Sequence, residues 1–252
     1  MGRTFPAACC LLGLLACAAP SKAAPDAAEI ASGLAAAVQD GDSVARAKFK
    51  FTPAGAAAPV QLQVQIKARR TKSSAEVSYQ VIWPPERKGE TVVLRQKPGG
   101  AIEGASLTPP DTRRKLGRAQ AGDSLLGSDL ALQDVVENFF LWPGQTLAGG
   151  EKIGAAECLI LDSKPASGDP TPYGRVRSWV DPRKMLPLRV EKYDRDGKLA
   201  RRIETTLTAR DDLGRPVPAA MTVTAPGGGT TEIDGSNIRH DVTLKDTDFA
   251  AP

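Results

Sequence analysis

Residues 173–207 read YGRVRSWVDPRKMLPLRVEKYDRDGKLARRIETTL. Three runs of alternating apolar and polar side chains are separated by Asp181-Pro182-Arg183-Lys184 and Asp194-Arg195-Asp196-Gly197. Period-two alternation places every second side chain on one face, as a half-buried strand requires. Asp-Pro opens a turn, and Asp-Gly supplies the positive φ angles that a tight hairpin needs. The stretch therefore predicts an antiparallel meander with one wet face. Its apolar face requires a cover from elsewhere in the chain.

Upstream, Ala45, Ala47, Phe49 and Phe51 share one strand face, with Arg46, Lys48 and Lys50 on the other. Val60, Leu62, Val64 and Ile66 alternate with Gln61, Gln63, Gln65 and Lys67. Ala75, Val77, Tyr79, Val81 and Trp83 continue the pattern, and Thr91–Gln96 and Ala101–Leu107 read as two further strands. Residues 108–123, with Pro109-Pro110 and Arg113-Arg114-Lys115, read as a basic loop. Downstream strands are predicted near Ile153, over Cys158–Leu161, and at Pro218–Ala225, Thr230–Ile233 and Ile238–Leu244, with Gly227-Gly228-Gly229 as a hairpin turn. The total is about eleven strands.

Two helices are predicted as the cover. Asp26-Ala27-Ala28-Glu29 resembles a capping box, Ile30, Leu34 and Val38 make a narrow apolar stripe, and Gly41 stops the first helix. In the second, Leu132, Val135, Val136, Phe139 and Phe140 follow the three-four spacing, Ser128 or Asp129 caps the start, and Trp142-Pro143-Gly144 ends it.

The 252 residues suit one mainly β domain, with only 5% aromatic residues. The net charge of +4 comes from interleaved acidic and basic residues, so no nucleic-acid footprint is evident. Residues 1–16 read as a signal peptide, with Arg3 before the apolar run Ala7–Ala16. Leu14-Leu15-Ala16-Cys17 resembles a bacterial lipobox, which makes Cys17 the lipidated mature N-terminus, residues 17–25 a tether, and 26–252 the folded domain. Ordinary cleavage after Ala18 or Ala23 is the alternative. Either way the protein is expected to be exported. Cys158 then stands without a disulfide partner in an apolar run, as a buried, inert thiol.

Chemistry-bearing motifs are sparse. His240 is the single histidine, on the predicted apolar face of Ile238, Val242 and Leu244. No His/Cys zinc set and no G-x-S-x-G elbow occur in the sequence. Asp194–Gly197 lacks the later ligands of a calcium loop. Neither a catalytic residue, nor a metal, nor a cofactor is expected, and the function is read as non-enzymatic.

Several blocks resemble the LolA/LolB-like outer-membrane lipoprotein-sorting proteins, in the branch typified by an uncharacterised spirochaete protein. They are Pro84-Pro85-Glu86-Arg87-Lys88-Gly89, then Leu125-Leu126-Gly127-Ser128-Asp129-Leu130 with Asp134-Val135. The meander adds Ser178-Trp179-Val180-Asp181, Leu186-Pro187-Leu188-Arg189-Val190, Tyr193-Asp194 and Asp196-Gly197-Lys198, and the C-terminus adds Leu244–Phe249. The resemblance implies a curved, antiparallel, unclosed β-barrel whose helices cover an apolar cavity. It implies an acyl chain or acylated lipoprotein as ligand, and a protein anchored by lipid at the periplasmic face of the outer membrane, or otherwise soluble in the periplasm. The implied cavity walls are Leu62, Val64, Ile66, Val77, Tyr79, Val81 and Trp83 on the sheet and Leu132, Val135, Val136, Phe139 and Phe140 on the cover. A competing reading is an accessory lipoprotein with a filled core and an envelope protein partner.

Overall fold

The computed structural model describes residues 1, 26–53, 56–235 and 237–250. The leader, Cys17 and the tether lie outside them. One antiparallel sheet of thirteen strands dominates the fold. Its strands are β1 (Gly41–Phe51), β2 (Val60–Arg70), β3 (Ala75–Trp83), β4 (Thr91–Gln96), β5 (Glu103–Thr108) and β6 (Thr112–Leu116), followed by β7 (Gly144–Ile153), β8 (Ala156–Lys164), β9 (Tyr173–Asp181), β10 (Leu186–Asp194), β11 (Leu199–Arg210), β12 (Pro216–Thr224) and β13 (Thr230–Asp234). The sheet runs β6-β5-β4-β3-β2-β1-β13-β12-β11-β10-β9-β8-β7. β6 and β7 are therefore free edges, and the barrel is not closed. The pairing β1–β13 joins the two halves, with Phe49 opposite Ile233. The meander occurs as predicted, with turns at 182–185 and 195–198.

The single α-helix among the described residues, α1 (Ala27–Val38), is capped as expected: the Asp26 side chain accepts from the Glu29 N–H at 2.7 Å. Ile30, Ala31, Leu34 and Ala35 are buried against Phe139, Phe140, Trp142 and the inner face of β8–β10. A second, larger apolar cluster fills the concave side of β1–β4, around Phe49, Leu62, Val64, Val77, Val81 and Leu94.

The second predicted helix does not form. Residues 133–135 and 139–141 make two separate 3₁₀ turns, with Asn138 between them at φ −107°, ψ 84°. Leu132 and Val136 face the first cluster, whereas Phe139 and Phe140 enter the second. A helix would present all four on one stripe, so the chain turns between the clusters instead. Ser128 and Asp129 do not cap a helix either. They close a turn in which Leu126 and Gly127 take φ of 52° and 85°, the left-handed region that glycine enters at little cost. Thr231 pins that turn to β13, donating to Asp129 Oδ2 at 2.7 Å and accepting from the Asp129 N–H at 2.8 Å.

Three further expectations change. The basic loop contains β6, paired with β5 from Gly104–Leu116 to Thr108–Thr112. Its bases suit an edge, because charged side chains discourage pairing with another sheet. β7 runs the full length of β8, where sequence indicated only a short strand near Ile153. Residues 238–244 form no strand beyond a bridge of Arg239 to Val44. They belong to a C-terminal strap on the convex face, where Leu244 and Phe249 pack on Val93 and Val44. Lys67–Asp248 (2.6 Å) and Arg69–Asp246 (2.8 Å) hold the strap.

Candidate functional site

The segment 131–143 closes the concave side, and a buried ionic network fixes it there. Asp134 has no exposed side-chain surface. Its Oδ1 accepts from the Tyr173 hydroxyl at 2.6 Å and lies 2.9 Å from Lys192 Nζ. Its Oδ2 accepts from the Ala131 N–H at 2.7 Å and lies 3.2 Å from Arg201 Nε. Lys192, 1% exposed, also stands over the rings of Tyr173 (5.0 Å) and Phe139 (5.3 Å). Burial works to raise the Asp134 carboxyl, but Lys192, Arg201 and the Tyr173 hydroxyl outweigh it and hold it below the usual carboxylate range. Burial, and then Asp134, push the Tyr173 phenol well up. Asp134 is thus an anchor, tying the covering segment to β9, β10 and β11.

Next to it, Glu137 and Asn138 line a cavity of about 190 Å³. The apolar wall is Val38 at the end of α1, Val136, Leu141, Trp142, Pro143 and Pro98. Arg70, Gln96, Lys97 and Asp169 stand around it from the ends of β2 and β4 and the β8–β9 loop. The Arg70 guanidinium is engaged, donating to Val135 O at 3.2 Å. Glu137 Oε1 accepts from Gln133 Nε2 at 2.8 Å. Among the described residues its Oε2 has no partner in hydrogen-bonding geometry, and neither has Asn138 Oδ1, although both atoms are buried. Burial pushes the Glu137 carboxyl up to about 7, against the pull of Lys192, Thr171 and Gln133 and with a small contribution from Asp134. A larger hollow, about 430 Å³, lies under the C-terminal strap. Its wall mixes Gln65, Gln80 and the paired Lys67 and Asp248 with Val93, Leu107 and Pro109.

Of the residues implied as cavity walls, Val136 lines this cavity. Leu62, Val64, Val77, Tyr79, Val81 and Leu132 are buried in the first cluster, with Ile66 and Val135 packed at its margin. Phe139 and Phe140 lie in the second. Trp83, at the end of β3, is 44% exposed. The network residues Asp134, Tyr173 and Lys192, and the cavity pair Glu137 and Asn138, escaped the sequence reading. One signal was available: Lys192 shares the inward parity of Leu186 and Val190 on β10. A lysine there must find a buried anion.

Two other expectations resolve locally. Cys158 is buried at 3% exposure, and burial raises its thiol, which fits an inert side chain. His240 is hydrogen-bonded, but to charges rather than on an apolar face. Nδ1 lies 2.7 Å from Asp212 Oδ1, and Nε2 lies 2.9 Å from Asp40 Oδ2 and 2.8 Å from Arg215 Nη2. Asp211, Asp212 and His240 come within ligand distance of one another, yet Arg215 sits among them and already pairs with Asp211 at 2.7 Å.

An open antiparallel sheet, curved around a short helix and an irregular cover, is a fold shared with several solved structures. The chain superposes on a LolA superfamily protein from Nitrosomonas europaea with a TM-score of 0.70 and 16% identity, over 90% of this chain and 98% of that one. It is similar to a presumed outer membrane lipoprotein-sorting protein domain from Vibrio parahaemolyticus, with a TM-score of 0.79, 20% identity, and coverage of 89% and 96%. A DUF1329 family protein from Desulfovibrio piger gives a TM-score of 0.76 and 22% identity, with coverage of 89% and 98%. A family model described as an uncharacterized protein matches residues 107–251, more than half of the chain, and the chain belongs to that family. No curated protein matches the sequence. Among the described residues no helix is long and apolar enough to cross a membrane.

Proposed function

We propose that the protein is an exported, non-catalytic binding module, lipid-anchored through Cys17 at the periplasmic face of the outer membrane. It takes part in lipid or lipoprotein sorting and accommodates an acyl chain or the acylated end of a lipoprotein. The apolar-walled cavity beside the covering segment carries this reading. Its volume of about 190 Å³ exceeds the ~150 Å³ that holds a benzene-sized molecule, so it suits one chain end rather than several whole chains. Each buried methylene contributes roughly 0.8 kcal/mol, so a short stub suffices for useful binding. Binding rather than catalysis fits Asp134, whose oxygens are committed to holding the cover. The fold likeness to a lipoprotein-sorting domain supports the cellular role by analogy.

A second reading keeps the fold and drops the ligand: an accessory lipoprotein acting through an envelope protein. The packing of Leu62, Val64, Val77 and Val81 into a filled core favours it. Titration with a fluorescent fatty acid, alongside denaturant melts, separates the two. The carrier reading expects saturable binding that Val136→Trp weakens more than it weakens folding, because an empty site accepts volume that a packed core cannot. Absence of saturable binding, with severe destabilisation by Val136→Trp, would select the accessory reading. Native mass spectrometry of protein from its own envelope would then look for a protein partner instead of lipid.

A further inference from the structure

We infer that the cavity is a receptor for a primary ammonium carried on an apolar body, with Glu137 Oε2 and Asn138 Oδ1 as its acceptors. The inference rests on the cavity being a binding site, as proposed above, and adds the polar end of the ligand. Both oxygens are buried and lack a partner in hydrogen-bonding geometry among the described residues, the Thr171 hydroxyl that also pulls on the Glu137 carboxyl standing outside that geometry. Orphaned buried acceptors are costly, and a native fold keeps them where something else completes them. Their neighbouring atoms are already spent. Glu137 Oε1 holds Gln133, and Asn138 Nδ2 donates to Ala35 O at 3.3 Å, which leaves Oδ1 as the free end of the amide.

Donor counting narrows the ligand. Two acceptors from adjacent residues call for a group with at least two hydrogens to give. A hydroxyl has one and a carboxylate has none, a water or an amide has two, and an ammonium has three together with the positive charge that a buried carboxylate draws. Charge is compatible with this choice. Asp169 joins Glu137 at the cavity, the Arg70 guanidinium is turned to a carbonyl, and Lys97 is exposed at the rim. Lys192, the other cation near Glu137, is held by Asp134 at 2.9 Å. The apolar wall of Val38, Val136, Leu141 and Trp142 then receives the body that carries the amine. Two sources present this chemistry: an aminolipid headgroup, and a free α-amine on an apolar N-terminal residue.

The experiment compares hexylamine with hexanol by NMR titration of the folded mature chain at pH 8, where Glu137 is ionised. Both probes share an apolar body, and only one brings an ammonium. Charge-assisted hydrogen bonds predict binding of hexylamine about tenfold or more tighter than hexanol. The preference shrinks at pH 5.5, where Glu137 is protonated and hexylamine still charged. It disappears in Glu137→Gln and weakens in Asn138→Ala, while hexanol binds both variants as it binds wild type. Equal binding of the two probes by wild type would overturn the ammonium site and leave the apolar cavity standing. A preference that survives Glu137→Gln or is unchanged at pH 5.5 would remove Glu137 from it. Failure of both probes to bind would sink the cavity reading and this inference together. Dihexanoyl phosphatidylethanolamine and a short peptide with N-terminal leucine, free or acetylated, then distinguish headgroup from α-amine.

Discussion

The two halves of the concave surface are built differently. Behind β1–β4 the interior is apolar throughout, and Val64, Val77 and Val81 have no exposed surface. Behind β8–β10 the interior combines Val176, Val180 and Val190 with a buried lysine, aspartate and tyrosine. The first half is held chiefly by burial, which is non-directional and tolerates many arrangements. The second is held by directional bonds that meet at one carboxylate. The covering segment spans both, and the charged half fixes where it lies. The cavity with the orphaned acceptors lies between the two halves, with Arg70 and Gln96 on one side and Val38 and Asp169 on the other.

The sharpest way to break this contrast is a charge in the apolar half. Val64→Asp places an unpaired carboxylate where nothing answers it, and a loss of about 4 kcal/mol or more, or failure to fold, is expected. Gln63→Asp, one residue away on the exposed face, is expected to change stability by about 0.5 kcal/mol or less. Equal shifts of the two in denaturant melts would contradict the assigned faces.

In the charged half, Asp134→Ala leaves Lys192 buried without its anion and is expected to cost about 3–5 kcal/mol. Replacing the pair together, Asp134→Leu with Lys192→Met, should recover much of that loss, because an apolar pair needs no desolvation. A double mutant as unstable as Asp134→Ala would show that Arg201 and Tyr173, rather than the pair, dominate. Since Asp134 fixes the cover, Asp134→Ala should also raise hydrogen exchange across residues 131–142, whereas mild substitutions in the first cluster should not.

The smallest effect is the most diagnostic, and it is a pH dependence. Glu137 has its carboxyl raised to about 7 in the folded state, above its ordinary 4.5. The folded chain therefore binds more protons than the unfolded chain between those values. The associated stability is full below about pH 4.5 and is lost as pH rises through 7, amounting to at most about 3 kcal/mol. Melts of Glu137→Gln should lack this decline and exceed wild type at pH 8. Parallel pH profiles for the two proteins would mean that the carboxyl titrates normally.

Much of the sheet was legible because its evidence is local. Thr91–Gln96 and Tyr173–Asp181 announce themselves by alternation and by the turns beside them. β6 escaped because an edge strand exposed on both faces carries no alternation: Thr112, Arg113, Arg114 and Lys115 are all exposed. The false helix at 132–140 had the right apolar spacing for the wrong reason, since its residues serve two clusters rather than one stripe. The candidate site was nearly invisible. Of the implied wall residues Val136 lines the cavity, and Asp134, Glu137 and Lys192 look like ordinary surface charges until the sheet brings β10 beneath the cover.

The sequence by itself determined a mainly β chain, the meander, the first helix with its cap, and the apolar parity of β2 and β3. Each of these depends on residues within a few positions of one another, where backbone geometry and periodicity suffice. Only the tertiary structure decided the path of the covering segment, the meeting of Asp134 with Lys192 58 positions away, and the place where Glu137 and Asn138 are left unsatisfied. Those outcomes depend on which distant groups share a buried volume, and in low dielectric that proximity, not spacing along the chain, sets what a charge or a hydrogen-bonding atom does.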